Sequence, residues 1–170
     1  MYCIWLLDAF IKHYQTMNFF DNIQMQIIFQ LILATFLGCV VGLERQYKRK
    51  EAGVRTYGLV CLGSALFTIV SFQNSLLYLD KTGITVDPSR IVGQIVVGIG
   101  FIGAGLIIYR QTHVEGLTTA AGLWVVAGIG IAVAYSFYLV AVFAAFLTIG
   151  VLAGLRIFEE KLEEKKGIRP

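Results

Sequence analysis

Residues 117–155 read LTTAAGLWVVAGIGIAVAYSFYLVAVFAAFLTIGVLAGL and contain no Asp, Glu, Lys or Arg. An uncharged apolar stretch of about 18 or more residues is long enough to cross a hydrocarbon core roughly 30 Å thick. This stretch is about twice that length. It therefore predicts two membrane-spanning helices joined by a tight turn near Ala134, Tyr135 and Ser136.

Three other long runs in the chain are also free of charged residues: 23–43, 57–79 and 91–109. The chain as a whole is 57% hydrophobic and only 15% charged, whereas an average soluble domain is roughly 25% charged. We therefore expect an all-α membrane protein, a compact bundle of about five transmembrane helices within residues 23–157. Residues 1–22 are expected to form an N-terminal amphipathic segment in the membrane interface, and residues 158–170 a cytoplasmic tail.

The basic residues predict the orientation of the bundle. The loop at 44–55 carries five Lys and Arg residues, and the segment after Leu155 carries another five. Cytoplasmic loops of membrane proteins are enriched in Lys and Arg. Five spans then place the N-terminus outside and the C-terminus in the cytoplasm, with Lys48 and Lys165 inside and Thr82 outside.

The placement of the charges also limits the chemistry. All eleven carboxylates and all fourteen Lys and Arg residues lie in loops or near helix ends. Proton- and cation-coupled carriers usually hold an ionisable residue within the membrane, and Mg²⁺ prefers carboxylate oxygens among its ligands. The sequence therefore argues against a self-contained Mg²⁺ pump. With no nucleophile–base pair, metal cluster or phosphate loop, we expect no enzyme, no metal site, no cofactor and no nucleic-acid partner.

The third run contains the pattern G-x-G-x-x-G at Gly98, Gly100 and Gly103. A dinucleotide site would need a preceding strand and a soluble helix, but this run continues at bilayer depth to Tyr109. Small residues let lipid-embedded helices approach closely. We therefore interpret Gly98, Gly100, Gly103 and Gly105 as helix-packing positions.

A line of small, weakly polar residues follows the second run, including Ser64, Thr68 and Ser71 at helical spacing. We call these three residues the polar seam. One interpretation is a helix–helix contact in which the hydroxyls bond to their own backbone. The other is the wall of a polar pathway, which Gln30 and Gln94 could also face.

Charged and polar residues gather where the spans end. Glu44 and Arg45 follow the first span, and Arg55 and Thr56 precede the second, so Glu44 and Arg55 are expected to pair. This cluster is either a loop anchor or a docking or ion-sensing surface.

At the opposite face, Asp87 is interpreted as a helix cap beside Arg90. The hydroxyls of Thr118 and Thr119 are expected to cap the fourth helix. Trp124 is expected to be a packing anchor, since a buried indole N–H needs a partner.

Several sequence blocks resemble the MgtC/SapB family, in the same order and from about residue 30 to 155. The blocks are GCVVGLERQ at 38–46, AGVRT at 52–56, LGSALF at 62–67, DPSRI at 87–91, GIGFIGAG at 98–105 and GLTTAA at 116–121. The resemblance implies a multi-pass bacterial inner-membrane protein, linked in some members to growth at low Mg²⁺ and to virulence. Family members are thought to modulate other membrane machinery, including the ATP synthase.

Two departures from the family limit what the resemblance implies. Several virulence-linked members continue into a C-terminal domain resembling ACT modules, and we expect the transmembrane domain only. Some members have Asn at the position of Thr118 and Cys at that of Val125, so roles tied to those side chains do not carry over.

The sequence leaves two functions open. The first is a non-enzymatic membrane protein, a homo-oligomer surrounded by membrane lipid, that regulates another inner-membrane protein such as the ATP synthase. The alternative is a small oligomeric channel or transporter for ions or a small solute, with its pathway at an oligomer interface. Flux through purified protein distinguishes the two.

Overall fold

A computed structural model describes the backbone of residues 2–78, 87–110 and 113–155, and the side chains of 22–75, 87–110 and 113–154. Five α-helices and one short hairpin make up this part of the chain. They are α1 (Tyr2–Tyr47), α2 (Val54–Tyr78), α3 (Ser89–Leu106), β1 (Ile108–Arg110), β2 (His113–Glu115), α4 (Leu117–Ala134) and α5 (Tyr138–Ile149), which continues into a π-helical segment, Gly150–Leu155.

Four of these helices are long and apolar enough to cross a membrane, which confirms an all-α, multi-span fold. The membrane-length part of α1 is Asn22–Tyr47, and the other three are Val54–Ser75, Ser89–Leu106 and Leu117–Ala134. The predicted fifth helix is present but shorter, an apolar helix 17 residues long at Tyr138–Gly154.

The charge-free stretch that decided the fold does form two helices. The turn between them lies where the sequence predicted it: Tyr135 donates its backbone N–H to the carbonyl of Ile131 at 3.1 Å. Ser136 adopts a left-handed conformation with φ of 63°, and α5 begins two residues later. Gln30 of α1 holds this turn, since its amide donates to the carbonyls of Val133 and Ala134 at 3.2 and 3.1 Å.

Helices α1, α2 and α4 form the centre of the bundle, and α5 packs on α1 and α4. The largest fully buried side chains belong to these central helices: Val41, Tyr57, Leu123, Val126 and Ile129. Helix α3 packs chiefly on α4, and only Ile99 and Gly103 of α3 are buried. The bundle therefore has a tightly packed centre and one peripheral helix.

Close helix crossings occur at glycines of α1 and α4. A Cβ on Gly38 would lie 2.7 Å from the carbonyl oxygen of Tyr57, and one on Gly42 would lie 2.7 Å from Cα of Val54. On α4, a Cβ on Gly130 would overlap the carbonyl of Cys61. These glycines let α2 approach α1 and α4 closely, as small residues do in lipid-embedded helices.

Of the four α3 glycines interpreted as helix-packing positions, Gly103 is the one that lies against another helix of the same molecule. A Cβ on Gly103 would touch Cβ of Ala120 at 3.4 Å, whereas Gly98, Gly100 and Gly105 have open space beside them. These three glycines therefore do not mediate a close crossing within one chain. Their packing against a second molecule stays a prediction.

Some expectations are revised and others remain predictions. The hairpin β1–β2, which pairs Ile108 with Glu115 in antiparallel register, was not expected. Residues 2–22 are continuous with α1, and their position in the interface stays a prediction. Thr82, Lys165 and the tail at 158–170 lie outside the described residues, so the orientation also stays a prediction.

Candidate functional site

A buried ion pair lies at the end of α1. The Arg45 side chain is 2% exposed, and its Nε pairs with Oε2 of the neighbouring Glu44. Its Nη2 also donates to the carbonyl of Leu152 at 3.4 Å, in the π-helical segment. A buried guanidinium needs such partners because an unpaired charge is costly to bury. Arg45 therefore joins the ends of the first and last helices.

The predicted pair between Glu44 and Arg55 does not form. Glu44 is occupied by its sequence neighbour Arg45, and its Oε1 is buried without a hydrogen-bond partner. The Arg55 side chain is exposed, and no ion pair joins it to another residue of the described part of the chain. Arg45 and Arg55 flank the same loop, and the sequence does not show which of them pairs with Glu44.

A second polar group links the loop to α4. Thr119 donates its hydroxyl to Oε2 of Glu51 at 2.7 Å, and Tyr57 donates to the carbonyl of Thr119 at 3.1 Å. The hydrogen bond from Thr119 is the main cause that lowers the pKa of Glu51. Tyr57 was missed from the sequence, although a phenolic hydroxyl in an apolar helix signals a need for a partner.

The loop between α1 and α2 has a defined backbone. Lys50 donates its N–H to the carbonyl of Arg45 at 3.0 Å, and Lys48 donates to that of Glu44 at 3.1 Å. Arg49 adopts a left-handed conformation with φ of 53°. All three basic residues are exposed, and we call Lys48, Arg49 and Lys50 the cationic patch. Buried Arg45 and the contact between Glu51 and Thr119 hold the patch at both sides.

The polar seam lies in a helix contact. Ser64 and Thr68 are buried and donate to backbone carbonyls of their own helix, those of Val60 and Ser64, at 2.8 and 2.7 Å. Ser71 donates to the carbonyl of Pro88 at 3.2 Å, which ties α2 to the start of α3. Because each hydroxyl is satisfied by backbone, the seam offers no continuous polar path within one protein.

Asp87 caps the start of α3 locally, as expected. Its Oδ1 accepts the backbone N–H of Ser89 at 2.9 Å and the hydroxyl of Ser89 at 2.7 Å. These bonds lower the pKa of Asp87. Arg90 is exposed beside it.

The expectations for the start of α4 are corrected. The N-cap residue, directly before α4, is Gly116, with φ of 84° and no side-chain capping bond. Neither threonine therefore caps the helix. Thr118 is exposed, and Thr119 is buried and bonds to Glu51. Trp124 is 56% exposed, so it does not anchor the packing inside the protein.

A lateral groove separates α2 from α3. It consists of two cavities of about 790 and 780 Å³, which share Phe67, Ile91 and Gln94. Arg55 and Thr56 line one end, and Asp87 and Arg90 line the other. Seven predicted site residues thus border a single groove: these four at its ends, and Ser64, Ser71 and Gly98 along its walls. The sequence alone did not bring them together.

No cluster of three or more His, Cys, Asp or Glu residues that could hold a metal ion occurs in the described ranges. Acidic side chains meet polar partners at separate places instead. Glu44 pairs with Arg45, Glu51 accepts a hydrogen bond from Thr119, and Glu115 lies on β2. Glu115 is half-buried and accepts hydrogen bonds from His113 and Arg110, which lower its pKa. These groups support binding and structural roles.

Comparison with known proteins identifies relatives. The chain matches the MgtC family over residues 31–161. It is 45% identical over 129 residues to the putative magnesium transporter YhiD of Escherichia coli K12, which covers 75% of this chain and 59% of that protein. It is 41% identical to protein SapB of Bacillus subtilis, over 68% of this chain and 50% of SapB.

A third relative is protein MgtC of Salmonella typhimurium LT2, 44% identical over 61% of this chain and 41% of that protein. The chain thus spans about half the length of the relatives that it matches. No solved structure matches it. The family match covers well over half of the chain, and the apolar helices agree with it. The chain therefore belongs to the MgtC family of multi-pass bacterial inner-membrane proteins.

Proposed function

We propose that this protein is a non-enzymatic regulator that acts by contact on other machinery of the inner membrane, and that its cationic patch makes the contact. The observation that carries the proposal is the construction of the patch. Three exposed cations lie on a loop whose backbone is fixed by hydrogen bonds from Lys48 and Lys50. Buried Arg45 and the bond from Thr119 to Glu51 tie that loop to the bundle.

A fixed basic surface suits recognition of an acidic partner. Charge complementarity across an interface accelerates association and selects partners. Side chains on an ordered loop also lose less conformational entropy on binding than side chains on a floppy one. The ATP synthase, which the family resemblance suggested, is one candidate partner.

The interior of the protein supports contact rather than conduction. The seam hydroxyls of Ser64 and Thr68 bond to their own helix, and no Asp, Glu, Lys, Arg or His lies in the middle of the described spans. A hydrophilic ion that crosses a bilayer needs polar groups to replace its water shell. In the described part of one molecule, the seam hydroxyls do not form such a series of groups.

The experiment uses cells that lack the chain and receive it back on a plasmid. The double variant Lys48→Gln with Lys50→Gln should insert normally but lose the growth effect of the parent at limiting Mg²⁺. In membrane vesicles from the same cells, any change in ATP hydrolysis caused by the parent should also disappear. Arg90→Gln is the control and should behave as the parent. Arg90 is an exposed cation at the start of α3, at the end of the groove opposite Arg55. A double variant that retains full effect in cells and vesicles would refute the proposal.

A transport function is the second candidate, and the groove between α2 and α3 is the observation that favours it. The groove carries the polar side chains of Ser64, Asn74 and Gln94 on otherwise apolar walls. Two such grooves facing each other in an oligomer could form a pathway. The name of the YhiD relative, a putative magnesium transporter, also agrees with this candidate. Mg²⁺ flux in liposomes would support it.

A further inference from the structure

The groove between α2 and α3 is a cleft at bilayer depth that opens to the side. Ser71 ties the helices together near Pro88, and elsewhere they make few contacts because α3 packs on α4. Phe67 and Leu59 on its rim are 60% and 67% exposed, and Phe101 is 85% exposed. In a membrane such a cleft opens toward lipid, since both helices that form it are long and apolar enough to span the hydrocarbon core.

The walls of the cleft beside Arg55 are apolar over most of their area. The side chains that form them are aliphatic or aromatic: Leu59, Val60, Phe67, Ile95, Ile99 and Ile102. Gly63 and Gly98 also line this cavity, and neither has an atom within 4 Å of the position a Cβ would take. Because glycine has no side chain, the space between the helices stays open here and can take a flexible acyl chain.

The charge at the two ends of the cleft differs. Arg55 lines one end, exposed and without an ion-pair partner among the described residues. Thr56 lines the same end, and Arg55 lies in the first turn of α2, directly after the loop that carries the cationic patch. At the other end Arg90 is accompanied by the carboxylate of Asp87. Among the described residues, the Arg55 end therefore carries positive charge with no carboxylate lining the cavity beside it.

We propose that this cleft binds an anionic phospholipid from the leaflet beside the cationic patch. Arg55 and Thr56 hold its phosphate, and its acyl chain lies along Val60, Ile95 and Ile99. An anionic headgroup matches a basic juxtamembrane site, because each Lys or Arg near the surface attracts anionic lipid. An arginine side chain can also reach from the hydrocarbon edge to the headgroup level. This inference is independent of the proposed regulatory contact.

The test is native mass spectrometry of the full chain purified in detergent. Phosphatidylglycerol and phosphatidylethanolamine with identical acyl chains are added in turn. The parent should bind phosphatidylglycerol more tightly, by about fivefold, as expected for one favourable charge interaction at the membrane surface. Arg55→Gln should abolish that preference, whereas Arg110→Gln, at an exposed cation that neither lines the cleft nor belongs to the cationic patch, should retain it.

A second variant tests the apolar part of the cleft. Gly98→Leu places a side chain in the cavity and should weaken binding of both lipids. Gly128→Leu is the matched control, since Gly128 of α4 is equally open but lies outside the cleft. Thermal unfolding of each variant shows that it is folded, and Arg55→Gln tests the site even where Gly98→Leu does not fold.

Three results would overturn the inference. One is equal binding of the two lipids by the parent. Another is a phosphatidylglycerol preference that survives Arg55→Gln. The third is displacement of phosphatidylglycerol by millimolar inorganic phosphate, which would identify the site as one for a free anion.

Discussion

Arg45 is buried and Glu44 is mostly buried, unlike the basic residues that follow them in the sequence. Arg45 pairs with Glu44 and bonds to the carbonyl of Leu152, while the cations at 48–50 remain in solvent. Breaking a buried pair leaves an uncompensated charge inside the protein, which typically costs about 3–5 kcal/mol. Glu44 is thus expected to matter for stability rather than for recognition.

We therefore predict that Glu44→Ala lowers the free energy of unfolding by about 3 kcal/mol or more. Arg55→Ala removes an exposed charge that has no ion-pair partner among the described residues. It should change the free energy of unfolding by less than about 0.5 kcal/mol. Denaturant unfolding of both variants in the same detergent measures the difference. Equal, small effects would mean that the pair at Glu44 is not buried in the membrane-embedded protein.

Glu51 gives a prediction that depends on pH. The hydrogen bond from Thr119 lowers the pKa of Glu51 below its ordinary value of 4.5. A carboxyl with a lowered pKa in the folded protein stabilises it above the unfolded pKa, and the contribution disappears as pH falls through the folded pKa. The stability advantage of the parent over Glu51→Gln should therefore be present at pH 6 and shrink below about pH 4.5.

The measurement is thermal unfolding of the parent and Glu51→Gln in detergent from pH 6 to pH 3. Thr119→Val serves as the companion variant because it removes the donor, so the same substitution at Glu51 should then have a smaller effect at pH 6. A parent advantage that grows as the pH falls would contradict the assignment.

At the scale of the helix, the close crossings on α4 make a sharp prediction. A Cβ on Gly130 would overlap the carbonyl of Cys61, whereas Gly128, two residues away on the same helix, has open space beside it. Gly130→Ala should destabilise the protein by about 1–3 kcal/mol, as overpacking does. Gly128→Ala should be neutral or slightly stabilising, because Ala favours the helix. Unfolding of the two variants compares them directly, and equal stability would disprove the crossing.

The helices themselves could be predicted from the sequence because charge-free runs reveal spans whatever their rotation. The turn at Tyr135 and Ser136 was predicted for the same reason. The faces of the helices could not be predicted, since a helix that is apolar on every side gives no periodic signal for its inward face. The glycines of α3 were therefore assigned to close crossings that α1 and α4 provide through Gly38, Gly42 and Gly130.

The candidate site was predictable only in part for a related reason. The sequence identified the charged ends of the spans, and the structure confirms that Asp87 caps α3 locally. It assigned Arg55 to Glu44, whereas Glu44 pairs with Arg45. Both arginines flank the same loop, so the sequence alone does not distinguish them. Tyr57 and Glu51 acquire their roles only when α2 and α4 bring them to Thr119.

At the scale of the whole molecule, the orientation in the membrane stays a prediction from loop charge. Lys48 is expected in the cytoplasm and Thr82 outside. In a background without native cysteines, Thr82→Cys should react with an impermeant thiol reagent on whole cells, and Lys48→Cys should react only after the cells are opened. The reverse pattern would invert the bundle and place the cationic patch outside.

The central claim is that the protein acts by contact through the cationic patch and does not itself conduct ions. Mg²⁺ flux into liposomes that contain the purified full chain tests this claim most directly. The account predicts a flux equal to that of liposomes without protein, for the parent and for Lys48→Gln with Lys50→Gln alike. Flux above that level that falls when Gly98→Leu fills the groove, but not with Gly128→Leu, would contradict the account and establish transport.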